Sequence, residues 1–180
     1  STASCRIGAC SAAGTSHELP ATLLPAPFND ESATRPSSAL PLAAIEKACF
    51  EAGYADKMMA REDFAAALAD KAMTIFCCVQ DGAVVGYASL FREPDETALN
   101  FDSLAVSPDY QGKGLGEELF RHVERHCEEN RVPQLNLEIK ETNYALLKRY
   151  HRYGYKCFHV EAGFYADGWS AIRMLKRFAV

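Results

Sequence analysis

The segment Ser103-Leu-Ala-Val-Ser-Pro-Asp-Tyr-Gln-Gly-Lys-Gly-Leu-Gly116 constrains this chain more than any other. An apolar, strand-like run ends at Val106, a polar turn follows, and glycines stand at 112, 114 and 116 as a helical pattern begins. The first backbone N–H groups of such a helix have no internal partner and carry partial positive charge. A diphosphate satisfies them, provided that no side chain blocks its approach. Glycines supply the clearance, and Lys113 adds charge at the rim.

Glycine-rich turns serve several ends. A P-loop needs Ser or Thr after Gly-Lys, but Lys113 is followed by Gly114. A dinucleotide-binding turn needs glycine at its first, third and sixth positions, and Glu117 occupies the sixth. On the glycines alone, a tight strand-to-helix connection without a ligand remains open.

The surrounding pattern places this turn in a larger order. Leu115, Leu119, Val123 and Cys127 form an i, i+4 stripe, which predicts a helix over Gly114–Asn130. Upstream, Thr74–Gln80, Ala83–Phe91 and Leu99–Val106 read as strands, with Asp81-Gly82 a hairpin turn. Downstream come an alternating strand at Gln134–Lys140, a helix at Asn143–Tyr153 closed by Gly154, and strands at Tyr155–Val160 and Ser170–Lys176. Phe28–Arg35 reads as a first strand, and Pro41–Glu51 and Arg61–Lys71 as helices. The order β-α-α-β-β-β-α-β-α-β-β predicts one α+β domain over residues 28–180, built round a mixed sheet. Residues 1–27, rich in Ala, Ser, Thr and Pro, read as an N-terminal extension.

Charge and composition exclude some classes. A net charge of -5 argues against a general nucleic-acid binder. No apolar run approaches the roughly 18 to 20 residues of a membrane span, so no membrane partner is expected. The seven cysteines form no C-x-x-C pair and read as reduced, mostly buried thiols of a cytoplasmic protein. His122 and His126 lie one helical turn apart but lack the zinc-peptidase order and a third ligand, so no metal is expected.

Two stretches together resemble the GNAT superfamily of acetyl-coenzyme A-dependent N-acetyltransferases. Gln111, Gly114 and Gly116 match its Gln/Arg-x-x-Gly-x-Gly/Ala motif after a strand ending in Leu-Ala-Val. Asn143, Leu146, Tyr150, Gly154 and Tyr155 match its Asn-x-x-Ala-x-x-x-Tyr-x-x-x-Gly-Phe/Tyr, with Leu146 where Ala is common. The resemblance implies a central mixed, mostly antiparallel sheet flanked by helices, its fourth strand bulged and splayed from the fifth. It implies acetyl-CoA as cosubstrate, its pyrophosphate held by the backbone of Gln111, Gly112, Lys113, Gly114, Leu115 and Gly116. Leu104, Ala105 and Val106 are then expected to hydrogen-bond the pantetheine arm, and Asn143 to contribute from the second motif. Tyr150 matches the family's tyrosine near the coenzyme sulfur, the general acid for the leaving thiolate.

The base is less constrained. Asn100, Asp102, Leu104 and Val106 share one face of an extended strand, because side chains alternate with period two. The resemblance implies a carboxylate or a bound water on this strand, which makes Asp102 the candidate base with a water relay as the alternative; a bulge would alter its parity. The Val106 N–H is the candidate oxyanion donor. No cysteine stands at a family nucleophile position, which favours direct attack in a ternary complex. The expected acceptor is a primary amine of a small molecule. A protein or peptide acetyltransferase and a non-catalytic acyl-CoA sensor are the alternatives, and a homodimer is compatible with all three. Ala48–Asp63 and Glu161–Trp169 are the segments expected to choose the acceptor.

Overall fold

A computed structural model describes residues 6–10, 39–52 and 57–179 of the 180-residue chain. Seven strands and four helices follow one another: β1 (Arg6–Cys10), α1 (Ala39–Phe50), α2 (Arg61–Ala69), β2 (Met73–Gln80), β3 (Ala83–Phe91), β4 (Leu99–Val106), α3 (Leu115–Glu129), β5 (Gln134–Lys140), α4 (Tyr144–Arg152), β6 (Lys156–Glu161) and β7 (Ala171–Arg177). The strands form one sheet in the order β1-β2-β3-β4-β5-β7-β6. Neighbours run antiparallel except β4 and β5, which run parallel.

Strand alternation sends successive side chains to opposite faces, and both faces are covered. On β2, Phe76 and Cys78 enter the core beneath α3, where Leu115, Leu119, Val123 and Cys127 form the stripe expected from their spacing. Ile75 and Cys77 turn the other way, into a second core with Leu42 and Ile45 of α1 and Phe64 of α2. The β2–β3 hairpin turns at Asp81 and Gly82, both with positive φ (51° and 79°), as a two-residue primed turn requires. His122 and His126 set their rings edge-on against Phe76, at 4.8 and 5.1 Å between centroids. Burial holds His122 neutral, its pKa lowered to about 4.

Two differences from the sequence reading stand out. The expected first strand, Phe28–Arg35, lies outside the described residues, whereas Arg6–Cys10, inside the stretch read as an extension, pairs with β2. Arg-Ile-Gly-Ala-Cys has no two-residue hydrophobic period, and its extended state comes from the partner strand rather than from local preference. Cys77 and Cys78 are disulfide-bonded rather than reduced, while Cys49, Cys127 and Cys157 are free. No helix among the described residues is long and apolar enough to cross a membrane.

Candidate functional site

The two edges of β4 differ. Against β3 it is paired from Asn100 to Val106. Against β5 it is paired only at Leu99↔Leu135, Asn100↔Asn136 and Phe101↔Leu137, after which the strands separate. The Asn136 side chain bridges the middle pair, donating to Asn100 Oδ1 at 3.1 Å. Beyond it opens a cleft of about 800 Å³, walled by β4, β5, α3, α4 and the segments on either side of them.

A bulge accompanies the separation. Ser89 pairs with Ser103 and Leu90 with Phe101, so Asp102 is the extra residue. The bulge overturns the expected face. Leu104 and Val106 point into the core under α3, but Asp102 turns to the α1 side, where Ser89 Oγ donates to its Oδ2 at 2.9 Å. Two consecutive residues, Asp102 and Ser103, thus lie on one side, and simple alternation fails there. Asp102 still lines the cleft. Its carboxylate is open to that cavity, yet crowding by protein raises its pKa, against a smaller lowering by Ser89.

Backbone polarity follows from the ladder. Ser107 N–H donates to Val85 O at 2.8 Å, so alternate β4 residues aim their amides at β3. Ala105 belongs to that set and aims its amide at β3. Leu104 and Val106 belong to the other set and face the gap. The Val106 carbonyl is already taken there by Gln111 Nε2 at 2.9 Å and by Cys49 Sγ at 3.2 Å.

The glycine loop joins this edge to α3. A 3-10 turn at Pro108–Tyr110 leads into Gln111, whose side chain ties the loop back to β4. Gly112 and Gly114 have φ of 73° and 84°, a left-handed conformation that side chains disfavour, and a Cβ on either would meet no protein atom within 4 Å. Space over both residues is therefore open at the start of a 15-residue helix. Lys113 Nζ is held at the rim by Asp109 O at 3.0 Å and lies over the Tyr110 ring. Gly116 faces Leu104 and borders the cleft, and the next residue, Glu117, borders the cleft as well.

On the opposite wall, Asn143 caps α4, its Oδ1 accepting from Leu146 N–H at 3.2 Å. One turn on, Tyr150 is 7% exposed, its ring 4.8 Å from Phe120 and 5.7 Å from Tyr155. The tyrosine is thus both a core residue and a lining residue of the cleft. Burial pushes its pKa well up, so the phenol keeps its proton and can donate it. In the segments expected to choose the acceptor, Lys57 lies over the Phe164 ring at 4.3 Å, and Asp167 pairs with Lys140 of β5. Tyr54 and Asp56 lie outside the described residues.

Sequence reasoning missed Glu46. It is 3% exposed on α1, accepts from Tyr87 Oη and from Met59 N–H, and borders the cleft. Its signal was present: a carboxylate directly after Ile45, on the side of α1 that carries Leu42 and Ile45. Among the described residues no three His, Cys, Asp or Glu side chains converge as a metal group would require.

Comparison with known proteins agrees with this architecture. A family profile of the acetyltransferase (GNAT) domain matches residues 36–178. The ribosomal protein bS18-alanine N-acetyltransferase of Escherichia coli K12 is 31% identical over 90 residues, 50% of this chain and 60% of the relative. The streptothricin acetyltransferase of Streptomyces lavendulae is 27% identical over 85 residues, 47% of this chain and 45% of the relative. The chain thus matches only about half the length of these curated relatives. The crystal structure of the Escherichia coli ribosomal-protein-S18-alanine enzyme superposes with a TM-score of 0.70 at 23% identity, over 80% of this chain and 90% of that one. An N-acetyltransferase of Thermoplasma acidophilum, solved with coenzyme A, gives 0.64 at 14% identity, over 79% and 94%.

Proposed function

Because the chain belongs to the GNAT acetyltransferase family, we propose that it transfers an acetyl group from acetyl-CoA to a primary amine of a small molecule, by direct attack in a ternary complex. One observation carries the reading: β4 leaves β5 after Phe101, opening a cleft that borders the start of α3 and Tyr150. The backbone of Gln111–Gly116 would receive the pyrophosphate, with Lys113 at its rim. Leu104 and Val106 would bond the pantetheine arm as an added strand does, and the Val106 N–H would steady the oxyanion. Asn143 supports the far wall by capping α4.

An alkyl ammonium has a pKa of about 10, so the acceptor must lose a proton before it attacks. Asp102 stands at the bulge to take it. As the carbon–sulfur bond breaks, Tyr150 gives its phenolic proton to the thiolate. A peptide amine is the second reading, favoured by the likeness to an enzyme named for a ribosomal-protein alanine. Lys57 and Phe164, in contact at 4.3 Å, both line the cleft, and the reading gives them the acceptor's surroundings. Free-thiol release from acetyl-CoA, measured with a panel of small amines and with an alanine-initiated peptide, tests the choice. Turnover confined to the peptide would overturn the first reading. Coenzyme binding without turnover on any amine would leave only an acyl-CoA sensor.

A further inference from the structure

Glu46 has no place in the chemistry above, yet it is the carboxylate that the cleft buries most deeply. It cannot meet an amine directly. Tyr87 Oη donates to its Oε2, Met59 N–H donates to its Oε1 at 3.3 Å, and almost no surface is left. Tyr87 is fully buried between β2 and β4, but its oxygen lies 3.1 Å from Ser103 Oγ. Since the single phenolic proton goes to Glu46, the Ser103 hydroxyl must be the donor in that contact. Ser103 sits beside the extra residue of the bulge and lines the cleft. Three groups therefore form a directed chain of hydrogen bonds, from an open cleft to a covered carboxylate.

We propose that Ser103, Tyr87 and Glu46 form a proton relay that carries a nitrogen proton away from the reaction centre as the amide forms. The proposal rests on the transferase reading and adds to it. An ammonium acceptor gives up two nitrogen protons during transfer: one to become nucleophilic and one as the amide forms. Asp102 takes the first. In the second step the carbon–nitrogen bond is made, the carbon–sulfur bond breaks, and the thiolate receives the Tyr150 proton. Ser103 Oγ takes the nitrogen proton while passing its own to Tyr87, and Tyr87 passes its own to Glu46, which becomes a carboxylic acid. When product leaves, the chain runs backward to water entering the cleft, Asp102 gives up its proton to the same water, and Tyr150 is reprotonated from solvent.

The surroundings of Glu46 suit a terminal acceptor. Tyr87 faces it from β3, Asp102 from β4, Cys49 from its own helix, and Met59 N–H from the segment before α2. None is a cation, and no ion pair forms to Glu46 among the described residues. Desolvation first, then the nearby Asp102 charge, raise its pKa above the ordinary carboxylate value, which strengthens it as a base. At pH values low enough to protonate Glu46 the relay is blocked, so it imposes an acidic limb on turnover.

The test compares parent, Glu46→Gln, Ser103→Ala and the double variant, with kcat followed against pH and coenzyme A affinity by calorimetry. Gln keeps an acceptor for Tyr87 but takes no proton, and Ser103→Ala removes the cleft end without disturbing the buried pair. Each single variant should lose about 10²-fold in kcat, the scale of a positioned proton transfer, with coenzyme A affinity unchanged. The double variant should lose no more than either alone, and the acidic limb assigned to Glu46 should be absent from Glu46→Gln. If Glu46→Gln does not fold, Ser103→Ala carries the test by itself. An active parent whose Ser103→Ala variant keeps its rate and pH profile overturns the relay alone. A parent that releases no thiol with any amine overturns the transferase reading and the relay with it.

Discussion

The two edges of β4 are made of the same backbone and do opposite things. Toward β3 the ladder runs from Gly86↔Val106 to Phe91↔Asn100, and its amides are spent on cohesion. Toward β5 three paired residues suffice, and the amides beyond them face a cavity. An unpaired edge in a protein interior costs free energy unless something satisfies it. The site therefore depends on a closed edge strong enough to hold the open one in place. The bulge at Asp102 belongs to both: it interrupts the closed ladder by one residue and turns a carboxylate toward the α1 side of the opening.

The largest effect is expected on the open side. Tyr150→Phe keeps the ring against Phe120 and Tyr155 but removes the proton owed to the thiolate. Turnover should fall by about 10² or more while coenzyme A affinity holds. The loss should shrink for an acyl donor with a more acidic thiol. An unchanged rate with the true acceptor would return Tyr150 to core packing alone.

The closed edge breaks differently. A Cβ at Gly86 would lie 3.0 Å from Ala105 O and 3.2 Å from Val106 Cγ2, so a side chain there forces β3 and β4 apart. Gly86→Val should cost about 1–3 kcal/mol in chemical unfolding, the usual scale of overpacking. Unaltered stability would mean that the closed edge yields more readily than its packing implies.

Gly114→Glu sharpens the contrast, because the space above Gly114 holds no protein atom. The anion would meet the incoming pyrophosphate, and the positive φ adds a modest strain. Acetyl-CoA affinity should fall at least about tenfold, roughly 1.4 kcal/mol, with the fold retained. Equal affinity by calorimetry would remove the loop from the binding site.

The smallest effect concerns stability at Asp102. Its raised folded pKa means that the folded chain holds this proton more tightly than the unfolded chain does. That contribution is complete below the ordinary carboxylate pKa and is lost as pH rises through the folded value. Asp102→Asn should therefore gain stability relative to the parent between acid and neutral pH, even as activity falls. Parallel melting curves for the two proteins across that range would refute the assignment.

Local patterns determined much of this protein. Ala83–Phe91, Leu99–Val106 and Gln134–Lys140 form strands with the bounds read from the sequence, and the Leu115–Cys127 stripe is buried as its spacing requires. Gly112 and Gly114 also acted locally, since a left-handed φ selects glycine whatever lies around it. Tertiary structure alone decided the rest. Asp102 changed faces because β3 offers β4 one residue too few, a mismatch between strands that neither carries by itself. Ala105 aims its amide at β3 because hydrogen-bond direction is set by the register between the two strands. Arg6–Cys10 became a strand because β2 had an edge to pair. Glu46 reached the cleft through a phenol on another element, 41 residues along the chain. Periodicity reports how one segment meets a generic interior, whereas register and long-range hydrogen bonds depend on which segments become neighbours.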